Sequence, residues 1–171
     1  MPLTGEGTWF EDFWPGQRIR HARGATVGET EGQILTKLVL NTAQSHFNEH
    51  AMRGSPLGDG QLVFGLITAS LVIGLTTEDT GENAVAEVGL DNLRFVAPVH
   101  HGDTLYAFTE VLATADGSRP DAGLVRFRHW GTNERGEIVF EGERTVLIKR
   151  RATPSSGRGA PAPDVDGVGR S

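Results

Sequence analysis

The feature that most restricts the fold of this chain is an uncharged segment, residues 62–75, with the sequence LVFGLITASLVIGL. Its apolar residues occupy every side of a helix, and such a helix has to be enclosed by the rest of the protein. The segment is too short to cross a bilayer as a helix. The sequence therefore predicts a central helix surrounded by other elements, with its start marked by Asp59 and Gly60.

The rest of the chain divides into a helical first half and a strand-rich second half. Residues 17–26 are predicted as the first strand, and the apolar residues Ile34, Leu35, Leu38 and Val39 predict an amphipathic helix from Glu29 to about Asn41. Alternating apolar residues predict four later strands, and their short connections favour antiparallel pairing. These strands are centred on residues 86–95, 105–112, 124–130 and 139–149. The pattern indicates an α+β fold with an antiparallel sheet.

The composition excludes several classes of function. Of 171 residues, 37% are hydrophobic and 22% are charged, as in ordinary globular proteins. The net charge of -6 argues against nucleic acid or an anionic membrane as the main partner. There is no cysteine, which excludes thiol nucleophiles, disulfides and cysteine-ligated metal centres. The first residues lack a basic segment followed by an apolar run, so we expect a cytoplasmic protein.

The chain is predicted to form one domain, residues 1–151, followed by a disordered tail, residues 152–171. The tail contains four glycines, three prolines and almost no large apolar residues. Such a segment buries too little apolar surface to offset the entropy lost when it becomes ordered.

Three segments carry the residues with chemical potential. Residues 40–48, LNTAQSHFN, follow the predicted helix, residues 56–62, PLGDGQL, precede the uncharged segment, and residues 98–105 read PVHHGDTL. In this order, over about residues 10–150, they resemble the MaoC-like family, which includes the (R)-specific enoyl-CoA hydratases, and look closest to a bacterial acyl dehydratase branch. The resemblance implies a hot-dog fold, in which a curved antiparallel sheet wraps around a long buried helix, and no cofactor.

The resemblance also assigns the candidate site residues. The family's hydratase motif, Asp-x-Asn-Pro-x-His, places its histidine on His46 and its aspartate on Asn41. In the family this pair holds a water molecule against a trans-2-enoyl thioester, because water has to lose a proton when it attacks C3. A backbone N–H at the start of the buried helix binds the thioester oxygen, and Gly60 is assigned to that position. The implied substrate-binding residues are Asp59, Gln61 and Leu62.

Asn41 departs from the family motif at the position that matters most for proton transfer. An amide orients a water molecule but accepts no proton at neutral pH. Three interpretations stay open: His46 is the only acid/base, a nearby carboxylate such as Asp59 substitutes, or the ability to hydrate has been lost.

Each candidate also has a purely structural interpretation. A histidine after a helix is often structural, Asn41 suits a helix C-cap, and Asp59 suits the N-cap of the buried helix. Gly60 suits a turn, and residues 100–103 are interpreted as turn residues. His46 and His50 have the spacing of a metal-binding pair, but no third ligand is evident, so no metal site is predicted.

Three functions compete at this point. The first is a reversible hydratase/dehydratase that acts on an enoyl- or 3-hydroxyacyl-CoA, or on the same acyl group attached to a carrier protein. The second is a hot-dog thioesterase, which usually requires a carboxylate on or near the buried helix, whereas residues 60–77 contain none. The third is a non-catalytic acyl-thioester-binding protein, favoured by Asn41 and disfavoured by the retention of His46.

The expected partners are the acyl-thioester substrate and a second copy of this chain. An open sheet wrapped around one helix leaves a sheet edge and an acyl tunnel that a partner completes. Proteins of the family pair their sheets edge to edge, so the resemblance implies a homodimer or a multiple of it.

Removal of residues 152–171 is expected to leave the melting temperature and the oligomeric state unchanged, because this segment has no apolar face to bury. Differential scanning calorimetry and size-exclusion chromatography of the full and shortened chains test this. A melting temperature lowered by several degrees would show that the tail docks on the domain.

Overall fold

Five strands form a single antiparallel sheet in the computed structural model, which describes residues 7–151. They are β1 (Arg18–Thr26), β2 (Ala84–Phe95), β3 (Thr104–Asp116), β4 (Ala122–Thr132) and β5 (Ile138–Lys149). Their spatial order is β1-β3-β4-β5-β2, which leaves β1 and β2 at the two edges. The five predicted strands and their antiparallel pairing are confirmed. The predicted tail, residues 152–171, lies outside the described residues.

Alternation of buried and more exposed residues in β3 and β4 gives the centre of the sheet one apolar face. In β3, Leu105, Ala107, Thr109 and Val111 are buried while the residues between them are more exposed. This is the period-two pattern of a strand that is covered on one side. The sheet therefore offers one continuous surface for the central helix.

Within residues 7–151, four α-helices accompany the sheet: α1 (Glu29–Leu38), α2 (Glu49–Met52), α3 (Gly65–Leu75) and α4 (Thr77–Thr80). The uncharged helix, α3, packs against β1, β3, β4 and β5. Gly131 allows this close approach, because a Cβ placed there would lie 2.3 Å from a methyl carbon of Val72. The described residues include no helix that is both long and apolar enough to span a membrane.

The central helix begins five residues later than the sequence indicated. Leu62 forms an antiparallel bridge with His100, and the N–H of Val63 donates a hydrogen bond of 2.8 Å to the carbonyl of Val99. These bonds hold residues 62–64 in an extended conformation, and α3 starts only at Gly65, after Phe64 at the N-cap. Pairing with a distant segment has therefore overridden the local apolar pattern.

Asp59 and Gly60 lie in the turn before this extended segment. Asp59 accepts a hydrogen bond of 2.9 Å from the N–H of Gly54 and does not cap a helix. Gly60 has a φ of +94°, a left-handed conformation that favours glycine. The predictions that Asp59 caps the buried helix and that Gly60 stands at its start are both wrong.

A Schellman motif ends α1, and its left-handed residue is Leu40, with a φ of +56°. The N–H of Leu40 donates to the carbonyl of Lys37 at 3.0 Å, and the N–H of Asn41 donates to that of Thr36 at 3.1 Å. Asn41 is therefore the residue after the left-handed position, and the alternative that Asn41 itself adopts the left-handed cap is wrong.

Only part of the apolar stripe of α1 packs on the domain, where Leu35 contacts the core. Gly32 and Thr36 are the buried residues of this helix, whereas Ile34 and Leu38 are mostly exposed. A Cβ at Gly32 would lie 2.5 Å from the His101 ring, so the glycine permits close packing there. The small residue Gly32 thus determines which side of α1 contacts the loop that carries His101, and Ile34 and Leu38 remain uncovered.

One side of α3 is also uncovered, contrary to the prediction that the helix is enclosed on all sides. Leu66, Ser70 and Gly74 follow one another at intervals of four residues and are exposed, and half of the Leu66 surface is accessible. Within residues 7–151 nothing shields this stripe from solvent. An apolar helix with an open side indicates that a further protein surface covers it.

A chain of buried polar side chains crosses the sheet beneath α4. His21 Nδ1 bonds to Asp79 at 2.6 Å, and His21 Nε2 bonds to the Thr109 hydroxyl at 2.7 Å. The same hydroxyl bonds to His129 Nδ1 at 2.8 Å. His129 Nε2 has no hydrogen-bond partner among the described residues. The pKa of His129 is lowered to about 3, mainly by burial and further by the charges of Arg144 and His21.

The stability of the protein is expected to fall as the pH drops below about 6.5. The unfolded chain takes up a proton on His129 near its ordinary pKa of 6.5, whereas the folded protein takes it up only near 3. Burial also lowers the pKa of His21, although Asp79 acts in the opposite direction. The titration of His21 therefore adds a further loss of stability at low pH. For His129 alone the loss is about 2 kcal/mol between pH 6.5 and 5. Urea unfolding at several pH values measures it.

His129→Gln is the matched variant, because it keeps a polar side chain but has no titration in this range. Its free energy of unfolding should decrease less between pH 6.5 and 5 than that of the parent. Equal slopes in the two proteins would contradict the assignment of a neutral, buried imidazole.

Candidate active site

An apolar cavity of about 440 Å³ opens between the start of α3, the end of β2 and the segment that follows β2. Leu57, Val63, Phe64, Phe95, Val99 and Val139 form much of its wall. His46 is the only ionisable side chain among the described residues that line it. The cavity therefore combines space for an acyl chain with a single group able to move a proton.

The orientation of His46 is set by a hydrogen bond to the backbone. Its Nδ1 lies 2.8 Å from the carbonyl oxygen of Leu62, and a carbonyl only accepts hydrogen bonds. Nδ1 therefore carries the proton in the neutral ring, and Nε2 keeps its lone pair. The ring also packs against Phe64, with 5.5 Å between the ring centres. This arrangement leaves Nε2 as the proton acceptor of the site.

A second backbone bond fixes the turn that carries His46. The histidine ends a short 3₁₀ helix, Gln44–His46, and the carbonyl of Ser45 accepts a hydrogen bond of 2.9 Å from the N–H of Leu62. Leu62 thus contacts both Ser45 and His46. The predicted substrate-binding residue Leu62 lines the cavity and also positions the histidine.

The N-terminus of α3 points into the same region. Gly65 and Leu66 line the cavity, and within residues 7–151 no acceptor is found for their backbone N–H groups. A Cβ on Gly65 would come within 3.0 Å of the Phe95 ring, so glycine keeps this approach open. Unpaired N–H groups at a helix start favour an oxygen that gains negative charge. The buried helix thus begins at Gly65 and not at Gly60, the residue to which the sequence assigned its start.

Asn41 is not among the residues that line the cavity. Its side-chain oxygen accepts a hydrogen bond of 2.9 Å from the N–H of Ala43, which closes a local turn between α1 and the His46 segment. The structure thus brings His46 and Leu62 together and leaves Asn41 in a supporting position.

The other predicted site residues surround a second, smaller cavity. Asp59, Gly60 and Gln61 line a space of about 250 Å³ together with His100 and His101. Gln61 bridges two elements here, since it accepts from Gln33 at 2.9 Å and donates to the carbonyl of Phe47 at 3.3 Å. These residues therefore form a polar neighbourhood beside the apolar cavity.

Residues 100–103 form a turn, as the sequence indicated. The carboxylate of Asp103 accepts a hydrogen bond of 2.9 Å from the N–H of His100, and the N–H of Gly102 donates to the carbonyl of Val27 at 2.8 Å. Burial lowers the pKa of His101, with Glu29 opposing and His100 and His46 adding to the shift. In the part of the chain that the structure describes, no three His, Asp or Glu side chains are placed to hold a metal ion.

Sequence reasoning missed Gly65 and Phe64. Both lie inside the uncharged segment, where the apolar pattern gives no sign of a helix boundary. The signal that was present is the glycine itself, because glycine is costly in the interior of a helix and is tolerated at a terminus.

Comparison with known proteins gives the family. The family model for mesaconyl-CoA hydratase matches residues 3–150. A mesaconyl-CoA hydratase from Cereibacter sphaeroides is 32% identical over 167 residues, which cover 95% of this chain and 46% of that protein. A beta-methylmalyl-CoA dehydratase from Chloroflexus aurantiacus is 31% identical, over 86% of this chain and 46% of that protein. The chain thus spans about half the length of the curated relatives it matches.

Solved structures give the same architecture. A MaoC domain protein dehydratase from Chloroflexus aurantiacus superposes with a TM-score of 0.79 at 31% identity, over 86% of this chain and 46% of that chain. A MaoC-like dehydratase from Rhodospirillum rubrum superposes with a TM-score of 0.73 at 26% identity, over 86% of this chain and all of the other. The hot-dog fold implied by the sequence is confirmed.

Proposed function

Because this chain belongs to the mesaconyl-CoA hydratase family of MaoC-like hot-dog proteins, we propose that it catalyses the reversible addition of water to an enoyl thioester. The observation that carries the proposal is the position of His46. Its unprotonated Nε2 is held beside an apolar cavity that also receives the N-terminus of α3. The thioester is carried by CoA, as the names of the relatives indicate.

In the forward reaction, His46 Nε2 accepts a proton from a water molecule. The oxygen of this water forms a bond to C3, and the electron pair of the C2–C3 double bond moves toward the thioester carbonyl. The protonated ring then delivers a proton to C2, so water is added and the histidine returns to its neutral form. The hydrogen bond from Nδ1 to Leu62 holds the ring in one orientation throughout.

The thioester oxygen gains negative charge during this reaction. Bound against the first backbone N–H groups of α3, at Gly65 and Leu66, it receives hydrogen bonds from donors that are already in place. The helix dipole adds stabilisation of the same sign. Donors that need no rearrangement stabilise the enolate-like transition state more than the neutral thioester.

Among the described lining residues, no carboxylate replaces the family aspartate. Asp59 lines the second cavity and is bonded to the N–H of Gly54, and Asn41 closes its own turn. His46 is therefore proposed as the only acid/base, which is one of the three interpretations that Asn41 left open.

His46→Ala is expected to lower turnover at least ~100-fold, because no other side chain in the cavity exchanges the proton. The measurement is incubation with a panel of enoyl- and 3-hydroxyacyl-CoAs that includes mesaconyl-CoA, followed by mass spectrometry. Water gained or lost supports the proposal. Release of CoA would identify a thioesterase instead, and no change in any substrate would identify a binding protein.

His50→Ala is the matched control, since His50 is exposed on α2 and does not line the cavity. It should retain parental turnover. Asn41→Asp preserves the acceptor for Ala43 and should change the rate far less than His46→Ala. If folded His46→Ala turned over the substrate as fast as the parent, the mechanism would be wrong.

The open surfaces of the domain point to a second hot-dog unit. The edge strand β2 exposes Val88 and Leu90, and its last residue, Phe95, reaches the cavity. The uncovered side of α3 adds Leu66 to these apolar surfaces. The relatives are about twice as long as this chain, which leaves room in them for a second unit. We therefore propose a homodimer, or a multiple of it, paired through β2 and with the site near the interface.

Leu90→Lys is expected to raise the dissociation constant of this dimer, because it places a charge on the apolar edge strand. Sedimentation velocity at micromolar concentration measures the change. Trp14→Lys is the control, since Trp14 is exposed and lies just before β1, at the opposite edge of the sheet from β2. A parent that sediments as a monomer at all concentrations would contradict the proposal.

A further inference from the structure

Thr68 differs from the other buried threonines of the helices and from Ser70. The hydroxyls of Thr36, Ser70 and Thr80 each donate to the carbonyl four residues earlier, at 2.7–2.8 Å. That of Thr76 donates to Ile73 at 2.7 Å. The Thr68 hydroxyl makes no hydrogen bond to any of the described residues, although only 2% of the residue surface is exposed.

The Thr68 oxygen is not one of the fully buried polar atoms that lack a partner, so the small accessible surface of this residue includes the hydroxyl oxygen. Thr68 lines the apolar cavity that contains His46. Among the described lining residues, these two are the only ones with polar side chains. A polar atom that enters this cavity therefore has two side chains available for hydrogen bonding.

The position of Thr68 relative to the helix start suggests which substrate atom it meets. Thr68 follows Gly65 by three residues, so both lie on nearly the same side of α3, about 4.5 Å apart along its axis. If the thioester oxygen binds at the N–H of Gly65, the acyl chain runs along the helix toward Thr68. The atoms bonded to C3 then come close to the Thr68 hydroxyl.

We propose that the Thr68 hydroxyl binds the oxygen on C3, together with His46. That oxygen belongs to the attacking water in hydration and to the 3-hydroxyl group in dehydration. The water donates one hydrogen to His46 Nε2 and the other to Thr68 Oγ1, while Thr68 itself exchanges no proton. Thr68 thus provides the second hydrogen bond to the water, because the side-chain oxygen of Asn41 is already bonded to the N–H of Ala43.

This inference rests on the proposed function, and two measurements distinguish failure of the inference from failure of the proposed function. The first is hydration of crotonyl-CoA by the parent, Thr68→Val and Thr68→Ser. Valine has the shape of threonine without the hydroxyl, so kcat should fall about 10-fold or more with little change in KM. Serine keeps the hydroxyl and should restore most of the rate. Thr30→Val makes the same substitution at an exposed position of α1 and should behave as the parent.

The second measurement needs no turnover. Calorimetric titration in the His46→Ala background compares (R)-3-hydroxybutyryl-CoA with butyryl-CoA, which lacks the hydroxyl. The first ligand should bind several-fold more tightly, and the added Thr68→Val should abolish this preference. If the parent neither added water to nor removed it from any member of the enoyl- and 3-hydroxyacyl-CoA panel, the proposed function would be overturned, while the titration still decides the role of Thr68. A preference that persists in His46→Ala/Thr68→Val, or is absent already in His46→Ala, would overturn the inference.

Discussion

The backbone of Leu62 makes the contacts on which the candidate site depends. Its carbonyl accepts the hydrogen bond from His46 Nδ1, its N–H donates to Ser45, and the residue forms a bridge with His100. One residue thus joins the histidine turn, the segment before α3 and the segment after β2. Because a backbone carbonyl cannot donate a hydrogen bond, the same contact selects the tautomer of His46 in which Nε2 keeps its lone pair.

The extended conformation of residues 62–64 has a second consequence. It delays the start of α3 to Gly65, so the unpaired N–H groups of the helix open into the cavity beside His46. An earlier start would have directed them toward the polar turn around Asp59. His46 and the unpaired N–H groups of α3 are therefore positioned by elements that share one backbone junction. The apolar wall around them strengthens the hydrogen bonds that these groups make, because its local dielectric constant is low.

The exposed apolar surfaces follow from the same architecture. A sheet of five strands covers one side of α3 but leaves Leu66, Ser70 and Gly74 open, and β2 remains an unpaired edge. Ser70 and Gly74 are small, which permits another backbone to approach closely. A domain that leaves part of its core helix open is suited to pairing with a second unit, and the double length of the relatives agrees with this arrangement.

The sequence by itself determined the partition into helices and strands and the presence of a buried helix. The choice of His46 rested on the resemblance to a family motif, and its role stays a prediction. The elements have local signatures: the alternation in β3 and β4 and the absence of charge in residues 62–75. Each signature reflects the period of a helix or a strand, which depends only on neighbouring residues. The same signatures placed the helix start at Asp59 and Gly60, and there they were wrong.

Only the tertiary structure decided where α3 begins, that Asn41 closes a turn outside the cavity, and that Thr68 faces into it. It also decided that His21, Thr109 and His129 form one buried chain, although they are far apart in sequence. In each case the deciding contact joins residues whose proximity no local pattern encodes. Val63 pairs with Val99, and this backbone hydrogen bond outweighs the helical preference of the residues around Val63. Packing and hydrogen bonding between distant segments thus fix the geometry that the chemistry requires.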